Sequence, residues 1–213
     1  MFMKSIFLMA QDSTWYPLFL EPVIKEIIDM QASARILDIG TGPGKLPELF
    51  VRQDKDYQIT GIDISNTMIA EAKKRVVSKN VRFQLMQANA PLKYKDEQFD
   101  IVCFCSVLFL LKIDQIHLLM NEALRVLKPN GKIMVLTPNG RKTGLSIIKD
   151  FRSFPHNPYN WTYLIWKIAT TGAGRRWQSG YILSGYAQKK QLRYLSKTVF
   201  NNHAILETLT KTI

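Results

Sequence analysis

A glycine-rich turn directly after a short apolar segment constrains the fold of this chain more than any other feature. The apolar segment covers residues 35–39, and glycines follow at three alternate positions, Gly40, Gly42 and Gly44. Glycine has no Cβ atom and adopts positive φ angles at little cost, so a strand can turn sharply into a helix and a ligand can approach the backbone. The pattern therefore predicts either a ligand-binding turn or a plain connection between a strand and a helix.

The spacing of these glycines differs from the fingerprint of dinucleotide-binding proteins. A G-x-G-x-x-G motif would need its third glycine at the position that Lys45 occupies. Asp38 lies two residues before the first glycine. Because opposite charges attract, this carboxylate favours a ligand with a cationic amine over one whose main feature is a pyrophosphate. The turn therefore points away from NAD.

Strand-like and helix-like segments alternate along most of the chain. Apolar segments predict strands at residues 57–63, 81–87, 99–105, 132–137 and 204–213. Helical periodicity predicts helices at residues 1–34, 45–52, 66–77 and 115–127, with Asp114 as the cap of the last. With 213 residues and 46% hydrophobic content the chain can bury one substantial core. The alternation predicts a doubly wound α/β fold with a mostly parallel sheet.

Two polar residues follow predicted strands at positions that suit a nucleoside. Asp63 lies 23 residues after Gly40, close to where a βαβ unit places the acid that accepts hydrogen bonds from ribose hydroxyls. Asn89 follows the third of these strands, and its amide is either a partner for the edge of an adenine or an ordinary turn residue. The first half of the chain therefore predicts a nucleoside-binding unit.

The positive charge of the chain is concentrated in one segment. The net charge is +12, and residues 139–197 contain eleven Lys or Arg against one acid, Asp150, together with three of the four tryptophans. Basic residues beside aromatic ones suit an anionic membrane surface or a lipid phosphate. They also suit RNA, whose bases stack on aromatic rings. A third interpretation is a solvated basic face over an ordinary aromatic core.

The cysteines and histidines predict neither a disulfide nor a metal site. Cys103 and Cys105 lie in an apolar strand, too close along the chain for an easy mutual disulfide, as in reduced core residues of an intracellular protein. His117, His156 and His203 lack metal-ligand spacing. No apolar stretch reaches the length of a membrane span, about 18 residues, and the apolar run in the first residues is shorter than a signal peptide is expected to have. We therefore expect a cytoplasmic protein, with peripheral membrane contact left open by the basic segment.

Four sequence blocks resemble the class I S-adenosylmethionine-dependent methyltransferases, and within them the enzymes that act on small molecules and lipids. The blocks lie within residues 36–138 and read ILDIGTGPG, TGIDIS, FDIVCFCSVLFLL and LRVLKPNGKIMVLTP. The resemblance implies a single methyltransferase domain over residues 1–213 with a seven-stranded Rossmann-like sheet. Residues 1–34 would form an N-terminal helical cap, and residues 139–197 would form a basic, aromatic substrate cap.

The resemblance also implies an activity. S-adenosylmethionine would be the cofactor, and its methyl group would pass to a small-molecule or lipid-like acceptor by in-line displacement. RNA as the acceptor is one alternative, and a non-catalytic protein that binds the cofactor is another. The sulfonium methyl group is already electrophilic, so the protein mainly has to align nucleophile, methyl group and sulfur.

Site residues follow from the same resemblance. The methionine part of the cofactor is assigned to Asp38, Gly40, Gly42 and Gly44, and also to backbone groups of Cys105 or Ser106. The ribose is assigned to Asp63. The adenine is assigned to Ile64, Met68, Asn89 and Ala90. Relatives often carry aspartate at the position of Asn89 and histidine at that of Phe109. The second difference weakens the assignment of a base in that loop.

A general base is needed only if the acceptor must lose a proton early in the reaction. His156 and Tyr159 are the candidates for this role, although His156 also suits a solvated loop. Trp161, Trp166 and Arg175 are the candidates for contact with the acceptor, because they combine aromatic and basic character in the predicted cap.

Overall fold

Seven strands form one sheet in the computed structural model, which describes residues 2–53, 55–140 and 145–211. They are β1 (Ser33–Ile39), β2 (Asp56–Asp63), β3 (Val81–Leu85), β4 (Phe99–Cys105), β5 (Leu127–Pro138), β6 (Arg193–Val199) and β7 (Ala204–Thr210). Their order in the sheet is β3-β2-β1-β4-β5-β7-β6. The first five strands pair in parallel, whereas β7 runs antiparallel to β5 and β6. The predicted doubly wound, mostly parallel fold is confirmed.

Eight α-helices and one 3₁₀ helix, Leu108–Leu110, occur in the described part of the chain. The α-helices are α1 (Phe2–Ala10), α2 (Trp15–Met30), α3 (Lys45–Val51), α4 (Asn66–Arg75), α5 (Ile113–Val126), α6 (Leu145–Ser153), α7 (Thr162–Ser179) and α8 (Ile182–Lys189). The predicted helical region at residues 1–34 is thus two helices, separated by a turn after Ala10, and its last residues already belong to β1. Residue 1 lies outside the described residues.

The central strands bury both of their faces. Ile36 of β1 and Ile101 of β4 belong to one apolar cluster, which includes Phe19 of α2. Leu37 of β1 belongs to the other cluster, which includes Met120 of α5. Because successive side chains of a strand point to opposite faces, a strand covered by helices on both sides is apolar at consecutive positions. This is the pattern from which β4 was predicted.

Strand β6 was not predicted, because it lies at the edge of the sheet. Five of its seven residues are exposed, so it lacks the alternation of apolar and polar residues that marks a half-buried strand. Charged residues on its exposed edge, such as Arg193, hinder pairing with another chain. The predicted cap at residues 139–197 therefore contains α6, α7, α8 and most of β6, while residues 141–144 lie outside the described part. That this segment caps a substrate stays a prediction.

Several element boundaries differ from those predicted. Helix α5 begins at Ile113, and Asp114 is not its cap: the Gln115 side chain accepts a hydrogen bond from the backbone N–H of Lys112 at 3.1 Å. Strand β5 begins at Leu127, because the segment predicted as a turn continues the strand, with Asn130 at a φ of +61°. Strand β3 and helix α4 each end two residues early. The predicted end of the last strand, at residue 213, lies outside the described residues.

Candidate active site

The glycine turn after β1 has the backbone geometry that its sequence predicts. Its glycines have φ angles of +74°, +55° and +84° for Gly40, Gly42 and Gly44, in the left-handed region that favours glycine. The backbone N–H groups of Gly40 and Thr41 donate to the carbonyl of Ile62 at 2.8 and 3.0 Å. These bonds hold the turn against β2, so the turn is tied to the strand that carries Asp63.

The carboxylate of Asp63 is oriented by two backbone groups. Its Oδ2 accepts a hydrogen bond from the N–H of Gly42 at 3.0 Å, and its Oδ1 accepts one from the N–H of Ser65 at 2.8 Å. Ser65 in turn is the N-cap of α4 and accepts from the N–H of Met68. Each carboxylate oxygen has two lone pairs, so Asp63 can still accept hydrogen bonds from a ligand.

Asp38 is a buried acid with an unusual proton affinity. Asp38 is 1% exposed, and this burial raises the pKa of its carboxyl to about 7. The neighbouring Thr41 hydroxyl opposes this rise, and the charge of Asp63 adds to it. Among the described groups, none is a hydrogen-bond partner of Asp38 Oδ1. Because a buried acceptor without a donor is costly, a ligand that brings a donor or a positive charge would be favoured there.

The turn and the ends of β2 and β4 border a cleft with a volume of about 510 Å³, which is within the range of small-ligand sites. Nine of the eleven residues predicted to bind a cofactor line it: Gly40, Gly42, Asp63, Ile64, Met68, Asn89, Ala90, Cys105 and Ser106. The other two do not line the cleft, because both are buried: a Cβ on Gly44 would meet Ala72 and Phe83. The structure therefore brings residues from distant parts of the chain to one site.

Much of the remaining lining is apolar and is not among the residues that were assigned to the cofactor or the acceptor. It consists of Phe7, Val107, Leu110, Leu111, Leu118 and Leu119, which we call the apolar wall. Phe7 reaches the cleft from α1, and its Cε1 lies 3.0 Å from where a Cβ on Gly42 would be. The apolar run directly after β4 was a usable signal for the loop residues. No local sequence signal places α1 over the turn.

Gln115 is a second unpredicted residue of the cleft. Its Nε2 donates to Oδ1 of Asn89 at 3.1 Å, and Asn89 has a positive φ of +58°. This bond leaves the amide nitrogen of Asn89 as a donor within the cleft lining. Gln115 therefore orients the side chain that stands where relatives often carry aspartate.

Comparisons with known proteins point to one family. Residues 36–131 match the family described as "Methyltransferase domain". Over 134 residues, the chain is 33% identical to the ubiquinone/menaquinone biosynthesis C-methyltransferase UbiE of Desulfotalea psychrophila. This match covers 63% of the present chain and 51% of that protein. The chain thus spans about half the length of the UbiE relatives that it matches.

Solved structures with low sequence identity share the fold. A SAM-dependent methyltransferase from Aquifex aeolicus superimposes with a TM-score of 0.63 at 17% identity, covering 97% of this chain and 98% of that one. The methyltransferase domain of bacterial CtHen1-CN gives a TM-score of 0.67 at 16% identity, covering 92% and 99%. Together these matches in sequence and fold support a class I S-adenosylmethionine-dependent methyltransferase. S-adenosylmethionine is the cofactor of this family.

The residues present fit this cofactor on three structural grounds. The glycine backbone at Gly40 and Gly42 is open to the cleft. Asp63 keeps acceptor capacity after its two backbone bonds. Asp38 does not line the cleft, but it lies two residues before the turn, and its buried Oδ1 has no donor among the described groups, so its charge would attract the cationic amine of the methionine part. A methyltransferase of this class could therefore hold its cofactor along the turn and the end of β2.

The candidates for a general base lie away from the cleft lining. His156 and Tyr159 are both exposed in the segment between α6 and α7. The backbone N–H of Tyr159 donates to the Asn157 side chain at 2.8 Å, a local turn interaction. Neither residue lines the cleft. Their role as a base stays a prediction without support from the geometry.

The candidates for contact with the acceptor also lie outside this lining. Trp161 is partly exposed, and the ring of Trp166 packs 5.0 Å from that of Trp15 in the first apolar cluster. The Nε of Arg175 donates to the carbonyl of Gly140 at 2.9 Å. These contacts give Trp166 and Arg175 structural partners within the protein, and their predicted contact with the acceptor has no support from the geometry.

Two titratable groups in the cleft are poorly suited to act as a base. Burial and the charge of Asp38 raise the pKa of the Cys105 thiol well above its ordinary value, so this thiol stays protonated at neutral pH. Hydrogen bonding to Arg125 lowers the pKa of Glu122. A carboxylate with a lowered pKa is a weak base. Neither group is therefore suited to remove a proton from an acceptor, and the cleft is better suited to aligning the reactants.

Within residues 2–53, 55–140 and 145–211, no group of three or more His, Cys, Asp or Glu residues is arranged to hold a metal ion. In the same part of the chain, no helix combines the length and the apolar character needed to cross a membrane.

Proposed function

We propose that this protein transfers the methyl group of S-adenosylmethionine to an apolar small molecule or a lipid-like acceptor. The observation that carries the proposal is the apolar wall, which shares one cleft with the glycine turn and with Ser106 at the end of β4. None of its six side chains is charged or polar. Such a wall favours the burial of apolar ligand surface and offers nothing to a phosphate group.

One relative supports an apolar ring as the acceptor. The protein of D. psychrophila is named as a C-methyltransferase of ubiquinone and menaquinone biosynthesis. For the present chain we infer from this name only the chemical class of the acceptor, which is an electron-rich aromatic or quinone-like ring. Contact with an anionic membrane belongs to the same proposal, because an acceptor of this kind partitions into a bilayer.

The chain would contribute alignment and the exclusion of water. Bound S-adenosylmethionine supplies an electrophilic methyl carbon on its sulfonium sulfur. Phe7 lies over the glycine turn, and the leucines of the 3₁₀ helix and α5 line the other part of the cleft, where they would hold the acceptor in line with that carbon. Because Cys105 is protonated and Glu122 is held by Arg125, the fitting acceptor has a nucleophilic atom that is already electron-rich or readily loses its proton to water.

The direct test is methyl transfer to a complex mixture of acceptors. The protein is incubated with S-adenosylmethionine that carries a labelled methyl group, together with a total lipid and metabolite extract or with total RNA. We expect the label in the organic phase of the extract. Label recovered in RNA would favour the RNA alternative, and cofactor binding without transfer to either mixture would favour a non-catalytic protein. Both outcomes would contradict the proposal.

Leu110→Gln is expected to weaken use of an apolar acceptor without weakening cofactor binding. Leu110 lines the cleft but is 68% exposed, so the change costs little folding energy. Loss of one apolar contact should lower kcat/KM for the acceptor about tenfold or more. The measurement is steady-state kinetics at saturating cofactor.

Leu195→Gln is the matched control for this change. Leu195 is 54% exposed on β6 and does not line the cleft, so the same substitution should leave kcat/KM unaltered. If the two variants behave alike, the apolar wall does not contact the acceptor.

Cofactor affinity is expected to rise with pH through Asp38. Its pKa of about 7 exceeds the ordinary value of 3.8, so the folded protein holds a proton that the unfolded chain releases. In the absence of ligand, this residue therefore lowers stability as pH rises from about 4 to about 7. Binding of a cation needs the ionised form, and affinity should increase about eightfold from about pH 6 to about pH 7.5. Calorimetric titrations at constant ionic strength measure this increase.

Asp38→Asn should bind more weakly and remove most of that pH dependence, because asparagine does not titrate. A variant that keeps the full pH dependence would show that another group titrates, and would contradict the role of Asp38.

A further inference from the structure

The outward side of α7 carries an apolar stripe that continues into basic residues. Six residues spaced three or four apart share this side: Trp161, Ile165, Ile168, Gly172, Arg175 and Ser179. Ile168 is 79% exposed, and Trp161 at the start of the helix is 39% exposed. The opposite side of α7 is buried through Tyr163 and Trp177. The outward side therefore has no partner within the described part of the chain that would cover Ile168.

The charge around this stripe has a single sign. No Asp or Glu occurs between Asp150 and Glu207, a stretch of 56 residues. Arg175 and Arg176 are exposed on α7, and the basic residues at the end of α8 are exposed as well. A partner of this surface must therefore be anionic to match the charge.

We propose that the outward side of α7 docks on an anionic lipid bilayer, with the helix axis parallel to the membrane plane. Ile168 enters the interface between headgroups and acyl chains, as the apolar face of a membrane-surface helix does. Trp161 and the 74% exposed Tyr181 flank the helix at its two ends. Trp and Tyr are favoured at this depth of a bilayer, and basic residues nearby contact the lipid phosphates.

The exposed aliphatic side chain of Ile168 favours a bilayer over RNA as the partner of this surface. Both partners carry phosphates, so the arginines alone do not separate them. A bare RNA strand gains stacking from aromatic rings but gains little from an isoleucine in the middle of the contact. A bilayer gains from Ile168 directly, because it removes this side chain from water.

Docking on this side would place the bilayer next to a helix that contacts two elements of the cleft. Helix α7 packs against α1 and against the 3₁₀ helix, which contribute Phe7 and Leu110 to the apolar wall. A lipid-like acceptor would then reach the cleft from the bilayer surface. This last step rests on the proposed function, whereas docking does not require any methyl transfer.

The test is sedimentation of the full chain with vesicles of phosphatidylcholine, either alone or with about one third phosphatidylglycerol. We expect retention on the anionic vesicles and little on the neutral ones. Each basic residue at such a surface contributes about fivefold to partitioning, so Arg175→Gln combined with Arg176→Gln should lower it about 25-fold. Ile168→Gln should lower it about tenfold, since an apolar contact is lost. This second variant touches no internal hydrogen bond.

Lys73→Gln combined with Lys74→Gln is the matched control, because it removes the same charge from the exposed end of α4. Its partitioning should stay within about twofold of the unaltered protein. Affinity for S-adenosylmethionine, measured for every variant, reports folding and cofactor binding separately from docking. The proposal would be overturned if the protein partitioned equally onto neutral and anionic vesicles, or if the control variant lost as much partitioning as the α7 variants. Binding to RNA without binding to vesicles would also overturn it.

Discussion

Asp63→Ala is expected to lower the affinity for S-adenosylmethionine about 100-fold or more. The change removes the acceptor proposed for the ribose hydroxyls, and hydrogen bonds to a charged group contribute about 1.5–3 kcal/mol each. It also leaves the backbone N–H groups of Gly42 and Ser65 without their acceptor, so the glycine turn loses one of its links to the end of β2. Isothermal titration calorimetry measures the change in affinity.

Asp56→Ala is the control for this experiment, because Asp56 starts the same strand at its opposite end and is exposed. It should bind the cofactor as tightly as the unaltered protein. Asp63→Asn keeps an acceptor oxygen and should recover part of the affinity. Equal affinity of Asp63→Ala and the unaltered protein would remove Asp63 from the site and would count against the cofactor site as a whole.

Gly40→Ala is expected to destabilise the fold by about 2–4 kcal/mol and to weaken cofactor binding at the same time. Alanine at a φ of +74° is strained by about 1–2 kcal/mol. Its Cβ would also overlap Cγ2 of Val107, so this side chain or the turn itself would have to shift. Chemical denaturation followed by circular dichroism measures the free energy of unfolding.

The same substitution at Gly185 is expected to have the opposite effect on the free energy of unfolding. Gly185 lies within α8, and a Cβ there would meet nothing within 4 Å. The change should therefore stabilise the protein by about 0.5–1 kcal/mol, because alanine is the better helix former. If Gly40→Ala were as stable as Gly185→Ala, the backbone geometry of the glycine turn would not be required.

The part of the cleft that we assign to the cofactor was predictable because its residues lie at fixed short distances from strand ends. In a parallel sheet, the carboxyl ends of neighbouring strands meet at one edge, so Gly40, Asp63, Asn89 and Ser106 converge as soon as the strands are identified. Asp38 was also predicted, but only the structure revealed that it is buried and that the pKa of its carboxyl is raised to about 7. That value depends on neighbours that are distant in sequence.

The acceptor side was less predictable for a physical reason. Aromatic and basic composition suggested Trp166 and Arg175, yet an aromatic residue packs equally well in a core, and Trp166 lies beside Trp15. Phe7 comes from a helix whose sequence carries no ligand motif, and only its packing over Gly42 makes it part of the cleft. Composition indicates which side chains exist, whereas tertiary packing decides which of them face a ligand.

The local sequence by itself determined the fold class and the conformation of the glycine turn, because backbone conformation at glycines and strand ends is governed by neighbouring residues. The tertiary structure decided three further features: the apolar wall of the cleft, the place of β6 at the sheet edge, and the uncovered side of α7 with Ile168. Each of these depends on contacts between segments far apart in the chain. Such contacts produce no periodic pattern in the sequence of either segment.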